Sequence, residues 1–355
     1  MRTEYVPPRT DIPRLADEAR DSAIVSGQSG AAGRFAWLVG PGMFRMILAL
    51  LVFASHVSSF EVGRPAVMIF FILSGYWVVR LYDVTGADPV RFEADRLLRV
   101  WPLFAVVALL AWAANYLAGV APLGSLASTL PLIGLASRTG DLVGVSWSLD
   151  IEAQFYLVLP VVIFLLAKAG PKVDLPRRML ALVVVTAVGA VLLRFGVYTL
   201  ASYAPAFAAG AAIWRYRWSP SFEIAMASLA AFAACLLLMA TVPALQTLLS
   251  KSESQWWRDL VHLAWCLLLV PFIAWNVHQP SNALDRHLGN LSYPFYLLHP
   301  LIIVLAVVAL GPLHLAGKLA ALAATLLATL MLYVMIDRPI DRLRKRRLRG
   351  VIRVA

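Results

Sequence analysis

The sequence predicts an all-α integral membrane protein, with about ten transmembrane helices around a central pore and both termini in the cytoplasm. Of its 355 residues, 61% are hydrophobic and only 14% are charged, and the mean hydropathy is +0.76. A soluble domain of this size could not cover its surface with such a composition. The apolar residues are also gathered into segments of about 20 residues, the length that crosses a bilayer.

Ten segments have the length of a membrane span, for which about 17–25 residues are tolerated. The fifth and sixth are nearly contiguous and form the least distinct pair. The predicted spans are 42–60, 65–82, 101–119, 146–167, 179–198, 199–214, 221–241, 259–277, 289–310 and 313–336.

The distribution of basic residues predicts the orientation of these spans. If the N-terminus is cytoplasmic, most of the 31 lysines and arginines fall on the cytoplasmic side, as the positive-inside rule requires. The net charge of +11 therefore indicates topology and contact with anionic lipid headgroups, and we expect no nucleic-acid partner. The outer segments hold only Arg64, Arg138, Lys251, Arg258 and Lys318.

Three regions follow from this pattern. Residues 1–38 are predicted to form a flexible cytoplasmic tail, 39–338 the transmembrane domain, and 339–355 a basic cytoplasmic tail in contact with lipid. No internal repeat of the kind that builds transporter halves is apparent.

The first span carries two ionisable residues, Arg45 and His56. Each costs about 2.5–3.5 kcal/mol to insert, so both are candidate functional groups. Their spacing puts them about 20° apart around the helix and about 16 Å apart along it. A snorkelling arginine or a packed histidine would explain each alone, but a polar stripe lining a cavity explains both.

The fourth span contains Glu152 and Tyr156, which share a helix face one turn below Trp147 and Ser148. A carboxylate within the membrane needs a partner. The matching depth predicts that Glu152 pairs with His56, fixing its tautomer and raising its basicity. The alternative is a structural carboxylate bonded to backbone or hydroxyl groups.

Two further segments suggest ligand contacts. Arg96 and Arg99 precede the third span, where two guanidiniums suit a phosphate group, although an ordinary positive-inside cluster is the alternative. The pair Trp101-Pro102 predicts an interfacial anchor and a helix start. In the ninth span, Tyr296 and His299 share a face near two prolines, which predicts a kinked helix that lines a cavity or is simply structural.

Together these segments resemble the membrane-bound acyltransferase 3 family of bacterial O-acyltransferases. The resemblance covers nearly the whole chain after the N-terminal tail, and six motifs occur in the family's order. They are Arg45 with His56, Phe70-Phe71-Ile72-Leu73-Ser74-Gly75-Tyr76, Arg96-x-x-Arg99 with Trp101-Pro102, the segment 147–160 including Glu152, Ser292-Tyr293 with Tyr296 and His299, and Asp337-Arg338-Pro339.

The resemblance implies transfer of an acyl group, by default acetyl, from cytoplasmic acyl-CoA to a hydroxyl of an extracytoplasmic or lipid-linked glycan. It implies that His56 is a general base or a transient acyl carrier, that Glu152 orients it, and that the donor contacts Arg45. The donor phosphates are expected near Arg96 and Arg99. Ser74, Tyr76, Trp147, Tyr156, Tyr296 and His299 are expected to line the pore.

The resemblance also implies a multi-pass protein of the bacterial plasma (inner) membrane, with polysaccharide-biosynthesis proteins as possible partners and no metal cofactor. The sequence departs from the family in two respects. Val67-Met68-Ile69 stands where many members have an acidic residue, and we expect no soluble esterase-like domain after the tenth span.

Several alternatives stay open at this level. The acceptor can be an exopolysaccharide, O-antigen, capsule, periplasmic glucan, small glycolipid or antibiotic, and succinyl can replace acetyl. Buried ionisable residues also suit a transporter or flippase for a glycan or lipid-linked precursor, and the basic tails suit a scaffold of a polysaccharide export complex.

Overall fold

A computed structural model describes residues 39–119, 124–138, 140–169, 175–251 and 256–344. These residues form helices and no β-sheet, apart from one isolated bridge between Phe60 and Ser250. The helices are α1 (Pro41–His56), α2 (Gly63–Val84), α3 (Pro89–Leu117), α4 (Ser125–Thr129), α5 (Ser146–Ala169), α6 (Leu175–Arg194), α7 (Leu200–Arg215), α8 (Phe222–Thr241), α9 (Trp256–Leu267), α10 (Val270–Asn276), α11 (Ala283–Leu310) and α12 (Leu315–Leu332).

Helices occupy all ten predicted spans, and the described chain is an all-α multi-pass membrane protein. Seven of its helices are long and apolar enough to cross a bilayer, or eight if α9 and α10, bent by 50° at their junction, form one broken span. Helices α1 and α7 have 16 residues each, about 24 Å, which is short of the ~30 Å hydrocarbon layer. The count of ten spans therefore stays a prediction.

The outer surface of the bundle is apolar, as a lipid-facing surface must be. Helix α6 exposes large apolar side chains along its length, including Leu180, Val184 and Val191. Buried polar groups lie inside the bundle, with three each on α5, α9 and α11 among the described residues.

The third helix differs from its prediction. It begins at Pro89 and contains Pro102 in its interior, so Trp101-Pro102 is not a helix start. Trp101 is exposed, and its indole N–H donates to the carbonyl of Leu130 at 3.0 Å, so its role as an interfacial anchor stays a prediction. The segment after α4 therefore folds back along α3. As a result, Arg96 and Arg99 lie within a long helix rather than before one.

Helix α2 is packed into the centre of the bundle by close contact with α7. A Cβ atom built at Gly75 would lie 2.2 Å from the carbonyl oxygen of Phe207, and one built at Gly210 would lie 1.9 Å from that of Ile72. Only glycine allows the two backbones to approach this closely. Gly75 belongs to the Phe-Phe-x-Leu-Ser-Gly motif, whose glycine thus has a packing role.

Helix α1 is fixed by α11. The Asp285 carboxylate accepts the backbone N–H groups of Gly42 at 3.1 Å and Met43 at 2.7 Å, which satisfies the free donors at the start of α1. Gly42 also lies directly against Gly289. Consequently α1 packs mainly on α11 and α2, whereas α5 packs on α2, α3 and α7.

We expect Gly210→Ala to destabilise the protein, because its methyl group would force α2 and α7 apart. Overpacking of this kind costs about 1–3 kcal/mol. Gly124→Ala is the matched control, since Gly124 has a φ of −75° and no heavy atom lies within 4 Å of the place that the added methyl group would take. Thermal unfolding in detergent measures the difference; equal melting temperatures for the two variants would contradict the close-contact account.

Candidate functional site

His56 lies at the last residue of α1, where its side chain is exposed to an open cavity of about 180 Å³. This volume is below the ~300–1,000 Å³ of pockets that enclose a whole small-molecule ligand. The cavity is at the end of the bundle that carries Arg64 and Lys251, the end predicted to face outward. Its lining residues are Val52, Ser55, His56, Glu61, Gly63, Arg64, Val67, Val145, Trp147, Lys251 and Tyr296.

The ring that faces His56 belongs to His299 of α11. The two imidazole centroids are 5.0 Å apart and nearly perpendicular, at 88°. His299 is fully buried, and its Nδ1 lies 3.3 Å from the carbonyl oxygen of Phe295. A carbonyl accepts only from a protonated nitrogen, so this contact leaves Nε2 as the lone-pair nitrogen. Within the described chain, Nε2 of His299 has no hydrogen-bond partner.

Charged groups border the cavity on two sides. Lys251 donates to the carbonyl oxygen of Ser55, one residue before His56. Arg64 stacks on Trp147 with its guanidinium carbon 4.9 Å from the ring centroid. The cavity thus offers an aromatic face and several hydrogen-bonding groups around one exposed imidazole.

Arg64 is held by a buried network that could not be anticipated from the sequence. Its Nη1 forms an ion pair with Asp259 Oδ2 at 2.5 Å, and the Tyr203 hydroxyl donates to the same oxygen at 2.8 Å. Asp259 lies on α9, so this contact ties α9 to α2 and α7. The sequence identified Arg64 only as an outer charge, and nothing local in it signalled a partner 195 positions away.

The predicted hydrogen bond between His56 and Glu152 is not present. Glu152 Oε1 instead accepts a 2.5 Å hydrogen bond from the Ser74 hydroxyl of α2. The reason is the order of the helices: α1 packs on α11 and α2, and α5 approaches from the α2 side. Glu152 has Arg45 and Tyr156 as electrostatic neighbours, whereas those of His56 are Lys251 and Glu61.

Arg45 is the centre of a second group of predicted residues, toward the other end of α1. Its side chain is half-buried, and its electrostatic neighbours are Arg96, Arg99, Glu152 and Tyr156. Within the part of the chain that the structure describes, Arg45 makes no direct ion pair or hydrogen bond through its guanidinium. Arg45 is therefore a cation with unused donors beside a cluster of charged and phenolic groups.

Arg96 and Arg99 are not free guanidiniums at a surface. Arg99 Nη1 contacts both carboxylate oxygens of Asp337, at 2.9 and 3.1 Å, and Arg96 Nη2 contacts Asp95 Oδ2 at 2.6 Å. The Arg99 side chain is only 18% exposed, and the Arg96 side chain only 13%. Asp337 comes from the Asp-Arg-Pro motif, for which the sequence alone predicted no role.

Two predicted residues, Tyr296 and Tyr76, lie differently with respect to these two groups. Tyr296 lines the cavity, its hydroxyl is 2.6 Å from Ser148 Oγ, and Glu152 is an electrostatic neighbour. It thus lies between the His56 cavity and the Arg45 cluster. Tyr76 belongs to neither group, because its ring packs on Trp77 and His278.

Comparison with known protein families gives one match. Residues 39–336 match the model of the family described as an acyltransferase domain, Acyl_transf_3. The match spans α1 to the turn that follows α12 and includes both groups of site residues. Neither a curated protein nor a solved structure matches the chain.

We expect Ser74→Ala to destabilise the protein, because it removes the donor to a carboxylate inside the bundle. Hydrogen bonds to charged groups contribute about 1.5–3 kcal/mol. Ser128→Ala serves as the control, since the Ser128 side chain is exposed and bonded only to the carbonyl of Ser125. A melting temperature for Ser74→Ala no lower than that of Ser128→Ala would show that Glu152 does not depend on this hydroxyl.

Proposed function

We propose, from the premise that the chain belongs to the membrane-bound acyltransferase 3 family, that it transfers an acyl group from acyl-CoA to a glycan hydroxyl. That it is a multi-pass membrane acyltransferase follows from the family match and the apolar helices. The donor, the acceptor and the role of each residue are the proposal. Acetyl is the acyl group that we take as the default.

One observation carries the proposal. A single helix of 16 residues has a guanidinium with unused donors at one end and an exposed imidazole in a cavity at the other. Arg45 and His56 are about 16 Å apart along the helix axis. The flexible pantetheine arm of an acyl-CoA suits this arrangement, with its phosphates among Arg45, Arg96 and Arg99 and its thioester directed toward His56.

The cavity around His56 suits a carbohydrate hydroxyl. Aromatic side chains such as Trp147 offer an apolar face to a sugar ring, and Glu61 and Lys251 offer an acceptor and a donor to its hydroxyls. An exposed imidazole at the rim is within reach of an acceptor that arrives from outside. The acceptor class that we propose is an extracytoplasmic or lipid-linked glycan.

His56 acts in this proposal as the general base. It removes the proton from the acceptor hydroxyl as the oxygen attacks the thioester carbonyl, the carbon–sulfur bond breaks, and the CoA thiolate takes the proton from His56. His299, rather than Glu152, is the positioning residue for this step. The Nε2 lone pair of His299 accepts a hydrogen bond from the imidazolium that His56 becomes.

Glu152 then has a different role from the one that the sequence suggested. Its carboxylate offsets the charge of Arg45 and is held by Ser74. In this position it stabilises the Arg45 cluster between the donor phosphates and the cavity. The basic excess on the Arg96 side supports a donor that binds from the cytoplasm. The membrane that we propose is the bacterial plasma membrane.

We expect His56→Ala to reduce acyl transfer by at least a hundredfold, the usual contribution of a general base. Membranes containing the protein would be incubated with radiolabelled acetyl-CoA, and label in the polysaccharide and glycolipid fractions measured. His287→Ala is the control, because His287 is exposed at the start of α11.

Three other outcomes decide between the alternatives. Transfer at the wild-type rate by correctly expressed His56→Ala would exclude the His56 mechanism. Translocation of a glycan or lipid-linked precursor without acyl-CoA would favour a transporter or flippase. Label retained on denatured wild-type protein without acceptor, but not on His56→Ala, would identify an acyl carrier.

The role of His299 is tested by two substitutions of similar size. We expect His299→Leu to lower kcat at least tenfold with little change in the KM for acetyl-CoA, because the hydrogen-bond acceptor for His56 is lost. His299→Gln keeps an acceptor oxygen and should recover part of kcat. Equal kcat for the two variants would mean that His299 only fills space.

A further inference from the structure

The end of α1 is bound by a short segment from far along the chain. We call this segment, residues 247–251, the outer strap. Its Ser250 forms the isolated bridge with Phe60, and the backbone N–H of Glu61 donates to the carbonyl oxygen of Leu249 at 2.7 Å. These two contacts bring the outer strap against the link between α1 and α2, beside the cavity that contains His56.

Helix α9 fixes the outer strap from the other side. Arg258 Nη1 donates to the carbonyl oxygens of Ser250 at 2.5 Å and Thr247 at 3.3 Å. His262 Nε2 lies 2.8 Å from the carbonyl oxygen of Leu248. Both side chains are buried. The backbone of the outer strap is therefore bound on two sides, and the Lys251 side chain extends from a fixed position.

Lys251 uses this position to contact the last turn of α1. Its ammonium donates to the carbonyl oxygen of Ser55, the residue before His56. The Ser55 hydroxyl donates to the carbonyl oxygen of Phe60 at 2.9 Å, and a Cβ atom built at Gly63 would lie 2.9 Å from Ser55 Cβ. Ser55 is thus held through its carbonyl, its hydroxyl and its Cβ atom.

Two simpler roles for Lys251 are a helix cap and an acceptor contact. A cation near a helix C-terminus binds free carbonyls and stabilises the helix, and Lys251 also lines the cavity. The His56 ring, however, has no hydrogen bond of its own within the described chain, so its position depends on the backbone that carries it. Holding the preceding carbonyl therefore helps to fix this ring opposite His299, at 5.0 Å between centroids.

We propose that Lys251 is a positioning residue for His56, because its bond to the Ser55 carbonyl fixes the last turn of α1 beside the cavity. The inference rests on the proposed function, since that function makes His56 the general base. None of the six sequence motifs contains Lys251. A residue of the outer strap thereby takes part in the reaction without touching the reacting atoms.

Steady-state kinetics of the full-length protein in membranes test this proposal, with radiolabelled acetyl-CoA and the glycan fraction of the same cells as substrates. We expect Lys251→Met, which has no donor, to lower kcat about tenfold with an unchanged KM for acetyl-CoA, because the rate falls steeply when a reacting group is misplaced. Lys251→Arg keeps a donor and should recover most of kcat. Lys318→Met is the matched control, because Lys318 is also predicted at the outer side and does not line the cavity.

Each other outcome overturns a defined part of the account. If wild type does not transfer the acetyl group, the proposed function itself fails. If wild type is active and Lys251→Met has the kcat of Lys318→Met, only the Lys251 inference is overturned. A higher KM for the glycan fraction with an unchanged kcat would make Lys251 an acceptor contact. A lower melting temperature with an unchanged kcat would make it a helix cap alone.

A second measurement separates the contact from the charge of Lys251, which is an electrostatic neighbour of His56. Salt screens a charge that acts through water in an open cavity, whereas it has little effect on a direct hydrogen bond. We therefore expect the ratio of wild-type to Lys251→Met kcat, at saturating substrates, to be the same in low and high salt. A ratio that falls toward one in high salt would overturn the positioning role.

Discussion

Charged side chains inside the bundle constrain this structure more strongly than its apolar surface does, because each one needs a partner that the lipid cannot supply. Glu152 accepts a hydrogen bond from the Ser74 hydroxyl of α2 and lies near Arg45 of α1. Asp285 accepts hydrogen bonds from backbone N–H groups at the start of α1. Asp337 takes Arg99. These contacts set which helices are neighbours, and the neighbours define the cavity around His56.

Features that depend on local sequence could be predicted. Helices lie where apolar segments of span length occur, and the motif residues Arg45, His56, Trp147, Tyr296 and His299 lie in or beside the two groups that the structure brings together. Helical periodicity alone put Arg45 and His56 on one side of α1. Depth within the membrane separated His56 from Arg45, Arg96 and Arg99, but it assigned Glu152 to the wrong group.

Pairing between helices could not be predicted, because a single sequence does not reveal the order in which its helices pack. Equal depth suggested that Glu152 meets His56, yet α2 brings Ser74 to Glu152 and α11 brings His299 to His56. Arg99 and Asp337 are 238 positions apart and meet only through the folded bundle. The sequence therefore suggested that Arg96 and Arg99 are unpaired, whereas in the structure Asp95 and Asp337 neutralise them.

The two ends of helix α1 belong to a single reaction path in this account, with the donor phosphates at the Arg45 end and the acceptor hydroxyl at His56. The most direct measurement is a structure of the protein with a non-hydrolysable acetyl-CoA analogue bound. The account predicts that its phosphates contact Arg45 and the arginines of α3, and that its acyl group reaches the cavity beside His56. An analogue whose acyl group lies on the opposite side of α2, away from His56, would contradict it.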